Sequence, residues 1–196
     1  AYGYDSKSVF IYGVGGRLLF WGGDQWHYRE PNTIHDLFCM WGKDINNIHA
    51  VGGEGTYRFH DGKQFQRRDE LTSEEVSLYG IWGAAADDVY IVGSHGTILH
   101  FDGNEDKEWK PMESGTEEYL LGIWGSSSND IFAVGDNATI LHYDGKSWTS
   151  MDAGTEKYLT KVRGLRSDCI YAVGDDGLVI RFDGEKWIDM SLGKDV

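Results

Sequence analysis

Few groups in this chain stand at spacings that chemistry requires. Asp102-x-Asn104-x-Asp106, followed by Lys107 and Glu108, alternates oxygen donors as the start of a calcium loop does. It lies in a hairpin three residues longer than its counterpart at Asp144 to Trp148. The sixth position is Lys107 where such a loop turns on Gly, so calcium on Asp102, Asn104 and Asp106 is a partial fit. No other cofactor is implied. His100 and His142 fall inside apolar runs, where an imidazole that bonds a neighbouring backbone group is the plainer role than proton transfer. No Ser, His and Asp are tied together as a nucleophilic triad, and no carboxylate pair stands out as a glycosidase pair. Gly13-Val14-Gly15-Gly16 is followed by no helix that would hold a phosphate. The chemistry therefore leans away from an enzyme.

The remaining polar and aromatic groups take their meaning from an internal repeat. Ile123-Trp124-Gly125 to Ile131-Phe132-Ala133-Val134-Gly135 is matched by Ile81-Trp82-Gly83 to Val89-Tyr90-Ile91-Val92-Gly93. Both continue into Thr-Ile-Leu-His-aromatic-Asp-Gly, at 97–103 and 139–145. Weaker copies begin at Trp41-Gly42, Arg163-Gly164 and Tyr2-Gly3, which places the repeat glycines at 3, 42, 83, 125 and 164. Their spacings of 39, 41, 42 and 39 residues suit four-stranded propeller blades. Within each unit an inner strand ends at Trp-Gly, a polar turn follows, and a β-branched and aromatic run forms the second strand. A tight turn leads to the third strand. An Asp-Gly hairpin then leads to an outer strand bearing Trp26, Phe65, Trp109, Trp148 or Trp187.

The second strands are continuous apolar runs, as expected of sheets covered on both faces. The expectation is an all-β, single-domain, five-bladed β-propeller over 1–196, with four antiparallel strands per blade and repeats at about 1–36, 37–77, 78–118, 119–157 and 158–196. Val196 is the counterpart of Lys157 and Ala1 that of Ile123, so the chain is four positions short of five units of 40. The count predicts a ring closed near adjacent termini.

The third and fourth repeats resemble the bacterial Trp-Gly-Ser-Ser-x-Asp-aliphatic-aromatic-Ala-Val-Gly propeller repeats, loosely grouped with BNR-type sequences, and the resemblance runs along the whole chain. Arg163 and Tyr2 depart from its Trp, and Phe59 and Phe20 stand where His100 and His142 stand. The resemblance implies a propeller and no agreed activity. In plan alone, five short blades are similar to the tachylectin-type lectins, an analogy that bears on sugar binding only as analogy.

In a propeller the turns between second and third strands share one rim with the loops that join blades. Those turns are Val14-Gly15-Gly16, Gly53-Glu54-Gly55, Ser94-His95-Gly96, Asp136-Asn137-Ala138 and Asp175-Asp176-Gly177. Glu54, His95, Asn137 and Asp176 occupy equivalent places and can project polar groups at a ligand, or stand as ordinary solvated turn residues. The joining loops add His35, Asp36, Tyr79, Tyr119 and Tyr158, of which Tyr119 and Tyr158 are repeat equivalents. Aromatic rings beside hydroxyl and amide groups suit sugar faces, although the same tyrosines can pack between blades. Arg163 sets a cation where other blades have an aromatic, so it pairs with acidic neighbours or meets an anionic ligand. The recurring Trp residues are expected to be scaffold.

These readings point first to a noncatalytic ligand-binding propeller for carbohydrate. A protein-interaction platform is the alternative, and a glycan hydrolase or lyase the second alternative. The ligand, saccharide or protein, is expected at the rim or central channel of a monomer. Eighteen Lys and Arg against 32 Asp and Glu give a net charge of −14, which disfavours nucleic acid and anionic membrane surfaces. No apolar stretch approaches the length of a membrane span, so a soluble chain is expected. The absence of an initiator Met is compatible with a mature secreted or periplasmic chain, or with a piece of a longer protein, and leaves the compartment open. Cys39 and Cys169 fall in non-neighbouring blades and are expected as free thiols.

Overall fold

The structure, a computed structural model, describes residues 1–67, 71–103 and 108–191. The repeat folds as its pattern predicts. Blade 1 holds β1 (Tyr2–Asp5), β2 (Ser8–Tyr12), β3 (Leu18–Trp21) and β4 (Trp26–Tyr28), and blade 2 holds β5 (Leu37–Asp44), β6 (Asn47–Gly52), β7 (Tyr57–His60) and β8 (Phe65–Arg67). Blade 3 has β9 (Leu78–Ala85), β10 (Asp88–Gly93), β11 (Ile98–Phe101) and β12 (Lys110–Pro111). Blade 4 has β13 (Leu120–Ser127), β14 (Asp130–Gly135), β15 (Ile140–Tyr143) and β16 (Trp148–Ser150). Blade 5 has β17 (Leu159–Arg166), β18 (Cys169–Gly174), β19 (Val179–Phe182) and β20 (Trp187–Asp189). Each set forms one antiparallel sheet in chain order, so the protein is an all-β, five-bladed propeller.

The core lies between blades. Four separate apolar clusters fill the four seams between consecutive blades: Phe10, Leu18, Leu37 and Met40 join the first pair, and Val51, Tyr57, Leu78 and Ile81 the second. Tyr90, Val92, Ile123 and Ala133 join the third pair, and Phe132, Val134, Val162 and Ala172 the fourth. This double coverage explains the continuous apolar runs, because residues on both faces of β6, β10 and β14 are buried.

Trp-Gly acts across seams. In the register of blade 4, Trp124 pairs with Phe132 and Gly125 with Ile131. The Trp124 ring then lies over Gly164 of the next blade, where an added Cβ would stand 2.5 Å from it. Trp82 lies over Gly125 at 2.7 Å and Trp41 over Gly83 at 2.5 Å in the same sense. Tyr2 makes the corresponding contact through its hydroxyl, which donates to the Gly42 carbonyl. The recurring Trp is thus scaffold, and each one is a latch on the following blade.

The closure predicted from the repeat count is not built as a fifth copy of this interface among the described residues. Arg163 occupies the latch position, but its guanidinium turns back to donate to the carbonyls of Ile123 and Val162, each at 3.1 Å. Gly3, the glycine it would cover, has only Val9 of its own blade within 4 Å of an added Cβ. A cationic side chain satisfied by backbone carbonyls has no reason to leave them for a glycine face.

The Asp-Gly hairpins are stiffened by their carboxylates. Asp61 Oδ1 accepts from the N–H groups of Gln64 and Lys63 at 3.1 and 3.0 Å, and Asp144 Oδ1 from those of Ser147 and Lys146 at 3.0 and 2.9 Å. Asp183 Oδ1 repeats this with Lys186 and Glu185 at 3.0 and 2.9 Å. These bonds hold all three carboxyls below their ordinary value of 3.8. A carboxyl depressed on folding contributes stability above its unfolded pKa and loses it as the pH falls through the folded one. An Asp61→Asn, Asp144→Asn, Asp183→Asn variant, which keeps the acceptor oxygens, should therefore lose less stability than the wild type between about pH 5 and about pH 3. Urea midpoints across that range check it.

Candidate binding rim

The turns between second and third strands are two-residue hairpins with positive φ at both central positions. Glu54, His95, Asn137 and Asp176 take the first position, at φ of 53°, 54°, 49° and 52°. Gly55, Gly96, Ala138 and Gly177 take the second. Bonds from Thr56 to Gly53, Thr97 to Ser94, Thr139 to Asp136 and Leu178 to Asp175 close them at 2.9–3.1 Å. The first residue is exposed in all four turns, and the second is buried in three of them, at Gly55, Gly96 and Ala138. That geometry delivers one exposed turn side chain in each of blades 2 to 5.

The blade-joining loops are bonded to these turns. Gly55 N–H donates to the Val76 carbonyl at 2.7 Å and Gly96 N–H to that of Glu118 at 2.9 Å, each reaching the loop that enters the next blade. Asp136 and Asp175 donate to Tyr119 and Tyr158 at 2.9 and 3.2 Å. Gly15 N–H donates to Asp36 Oδ1 at 2.8 Å, which commits Asp36 to the scaffold of the first turn. Turns and loops therefore form one connected rim.

Several candidate residues meet in pairs. His35 Nδ1 lies 3.2 Å from Glu54 Oε2, and Lys157 Nζ 3.5 Å from Asp176 Oδ2. The His95 ring meets Tyr119 edge-on at 5.3 Å. Tyr79 stands 6.1 Å from Tyr119 and stacks on Phe38 at 5.6 Å. Phe38, Tyr79 and Tyr119 thus make an aromatic arc across blades 2, 3 and 4, with His95 against its end. Phe38 and Tyr119 are each 38% exposed, and Tyr158, the counterpart of Tyr119 in blade 5, is 46% exposed. A groove of about 480 Å³ begins at His95 and runs past Thr97, Met112 and Glu117.

Phe38 was not singled out by sequence reasoning, although it occupies the place of Tyr79 in the repeat. An acidic group was missed too. Partial burial, and then Glu118 and Asp175, push the Asp136 carboxyl up from its ordinary value, so three carboxylates crowd the rim between blades 4 and 5. Their residues read as separate turn and loop positions in the chain.

Other candidates lie elsewhere. Arg163 is in β17, five positions along the chain from Tyr158, and it bonds carbonyls instead of acidic neighbours. Asp102 is paired with Lys110 at 2.6 Å, while Asn104 and Asp106 of the calcium-like spacing lie outside the described residues. No group of three or more His, Cys, Asp or Glu could hold a metal ion among the described residues. His100 and His142 bond carboxylates and not the expected backbone: Nε2 of each lies 2.8 Å from Oδ1 of Asp88 and Asp130. Both rings stack on the second-strand aromatic, Tyr90 at 4.1 Å and Phe132 at 4.4 Å. That recurrence makes them scaffold. Cys39 and Cys169 are free thiols, and no helix among the described residues is long and apolar enough to cross a membrane.

Regular blades carrying a rim of varying side chains define a repeat β-propeller. The chain is similar to YCF48 bound to a D1 peptide, with a TM-score of 0.72 at 18% identity over 92% of this chain and 62% of that one. It is also similar to the WD40 repeats of RRP9, with a TM-score of 0.76 at 8% identity over 97% of this chain and 64% of that one. U3-55K gives a TM-score of 0.74 at 8% identity over 97% and 65%. The chain thus spans less than two thirds of the length of these three, and at such identities the likeness is one of fold. No protein-family model and no curated protein matches it.

Proposed function

We propose that this propeller is a noncatalytic interaction platform that holds a segment of a partner protein along its rim. The observation behind this reading is the arc of Phe38, Tyr79 and Tyr119, bordered by acidic groups at Glu54, Glu118, Asp136, Asp175 and Asp176. Aromatic rings supply contact area at small entropic cost, and the crowded carboxylates favour an incoming cation. The fitting partner is a peptide that alternates apolar and basic side chains. The net charge of −14 steers such a peptide over longer range. YCF48, similar in fold, is itself bound to a peptide.

Carbohydrate is the second reading, favoured by the half-exposed rings of Tyr119 and Tyr158 and the exposed Asn137 on the same rim. Calorimetric titration separates the two. A basic, aromatic-rich peptide should bind with an affinity that falls as salt rises, and Tyr79→Ala with Tyr119→Ala should weaken it about tenfold or more. Binding untouched by that double variant would overturn the rim assignment. Saccharide binding with no peptide binding would instead favour a lectin.

A further inference from the structure

Each interior blade has two covered faces, one packed by the blade before it and one by the blade after. The end blades break this rule in complementary ways. In blade 1 the bare face is the one that a preceding blade covers elsewhere. Ile11 and Leu19, paired across β2 and β3, are 43% and 39% exposed, whereas their equivalents Ala133 and Leu141 are 0% and 2% exposed against blade 3. In blade 5 the bare face is the one that a following blade covers elsewhere. Tyr171 and Val173 are each 40% exposed, whereas Phe132 and Val134 are 1% and 0% exposed against blade 5.

Both bare faces are built as interfaces. Blade 1 presents a groove of about 420 Å³ between Ile11, Val14, Arg17 and Leu19. Blade 5 presents the column Arg163, Tyr171, Arg181, the register equivalent of Trp124, Phe132, His142. Arg181 Nε is buried with no acceptor among the described residues. Apolar side chains in continuous exposed faces mark unfilled contacts more often than idle surface.

We propose that the gap between blade 5 and blade 1 is the seat of further blades of this same repeat, carried by the same polypeptide, so that these five blades are an arc of a larger ring. The established seams dictate the chemistry of the occupant: one added blade must offer a following-side face, like that of Tyr90 and Val92, to Ile11 and Leu19, and another a preceding-side face, like that of Val162 and Ala172, to Tyr171 and Val173. Propellers carry about four to eight blades, so two or three more stay inside the range, while two copies joined head to tail would make ten. The YCF48 and RRP9 chains, which this arc matches over 92% and 97% of its own length, extend beyond the match by more than a third of theirs.

Two copies of residues 119–157 appended after Val196 test the proposal, alongside the 196-residue chain. The lengthened chain should stay monomeric by light scattering and melt several degrees higher. It should also lose the binding of a hydrophobic dye that the shorter chain shows. Unchanged melting and dye binding would overturn the proposal, and a dimer of the shorter chain with no dye binding would give the faces to a second copy instead. Point variants decide the matter even if the lengthened chain fails to fold. In the 196-residue chain Val173→Glu and Ile11→Glu should leave the melting point near the wild type, while Val134→Glu, at the covered equivalent of Val173, should unfold it. A Val173→Glu loss as large as that of Val134→Glu would show the face already covered and would remove the proposal.

Discussion

Gly135→Ala should remove about 3 kcal/mol or more of stability, at or beyond the upper end of overpacking costs. An ideal Cβ there would stand 1.8 Å from the Tyr119 carbonyl oxygen and 2.8 Å from its carbon. That carbonyl cannot yield easily, because it accepts the Asp136 N–H at 2.9 Å and fixes the turn to the blade-joining loop. Gly174 meets the Tyr158 oxygen at the same 1.8 Å, and Gly52 the Asp36 oxygen at 1.9 Å, so the conflict belongs to the repeat. Gly53→Ala is the control. Its nearest neighbour is the Phe38 ring at 3.6 Å, an ordinary contact. Urea denaturation should separate the two substitutions cleanly, since a domain of this kind has roughly 5–15 kcal/mol to lose.

The second large effect is at a latch. Trp124→Ala should cost about 3–5 kcal/mol, the range for truncating a packed Trp. It strips the ring from Gly164 and opens the seam between blades 4 and 5. Arg163→Ala, at the same repeat position in blade 5, should cost less than about 1 kcal/mol, because the exposed guanidinium covers no blade. Thermal midpoints of the two variants compare directly. A costly Arg163→Ala would mean that this side chain holds the seam after all.

The blades were legible because spacing alone fixes them. Trp-Gly, Val-Gly and Asp-Gly recur every 39 to 42 residues, and each marks a strand end or a turn. What recurrence cannot show is the partner. Trp41 and Gly83 are 42 positions apart, and nothing in either repeat says that the ring crosses a seam to the next glycine. The absence of a fifth latch among the described residues was illegible for the same reason: counting residues measures the length of the chain, while the contact from one blade to the next is set by how side chains pack.

At the rim, the four turn positions were legible from the repeat and its tight turn, three of them with a trailing Gly and Asn137 with Ala138. Their neighbours were not. His35 and Glu118 meet Glu54 and Asp136 because each blade-joining loop folds onto the turn of the blade it enters, and Asp175 nears Asp136 because blades 4 and 5 are adjacent. Of the calcium-like spacing, Asp102 alone lies among the described residues, and it is paired with Lys110.

Every latch points the same way, with the ring on the earlier blade and the glycine socket on the later one. A chain emerging from the ribosome with blade 2, 3 or 4 as its newest complete blade therefore exposes a Trp whose socket has yet to be synthesised. Each blade is provisional until its successor arrives, and docking proceeds in the direction of synthesis. A ribosome stalled between blades would leave one indole uncovered, a defined target for a holdase and a fixed point from which folding resumes.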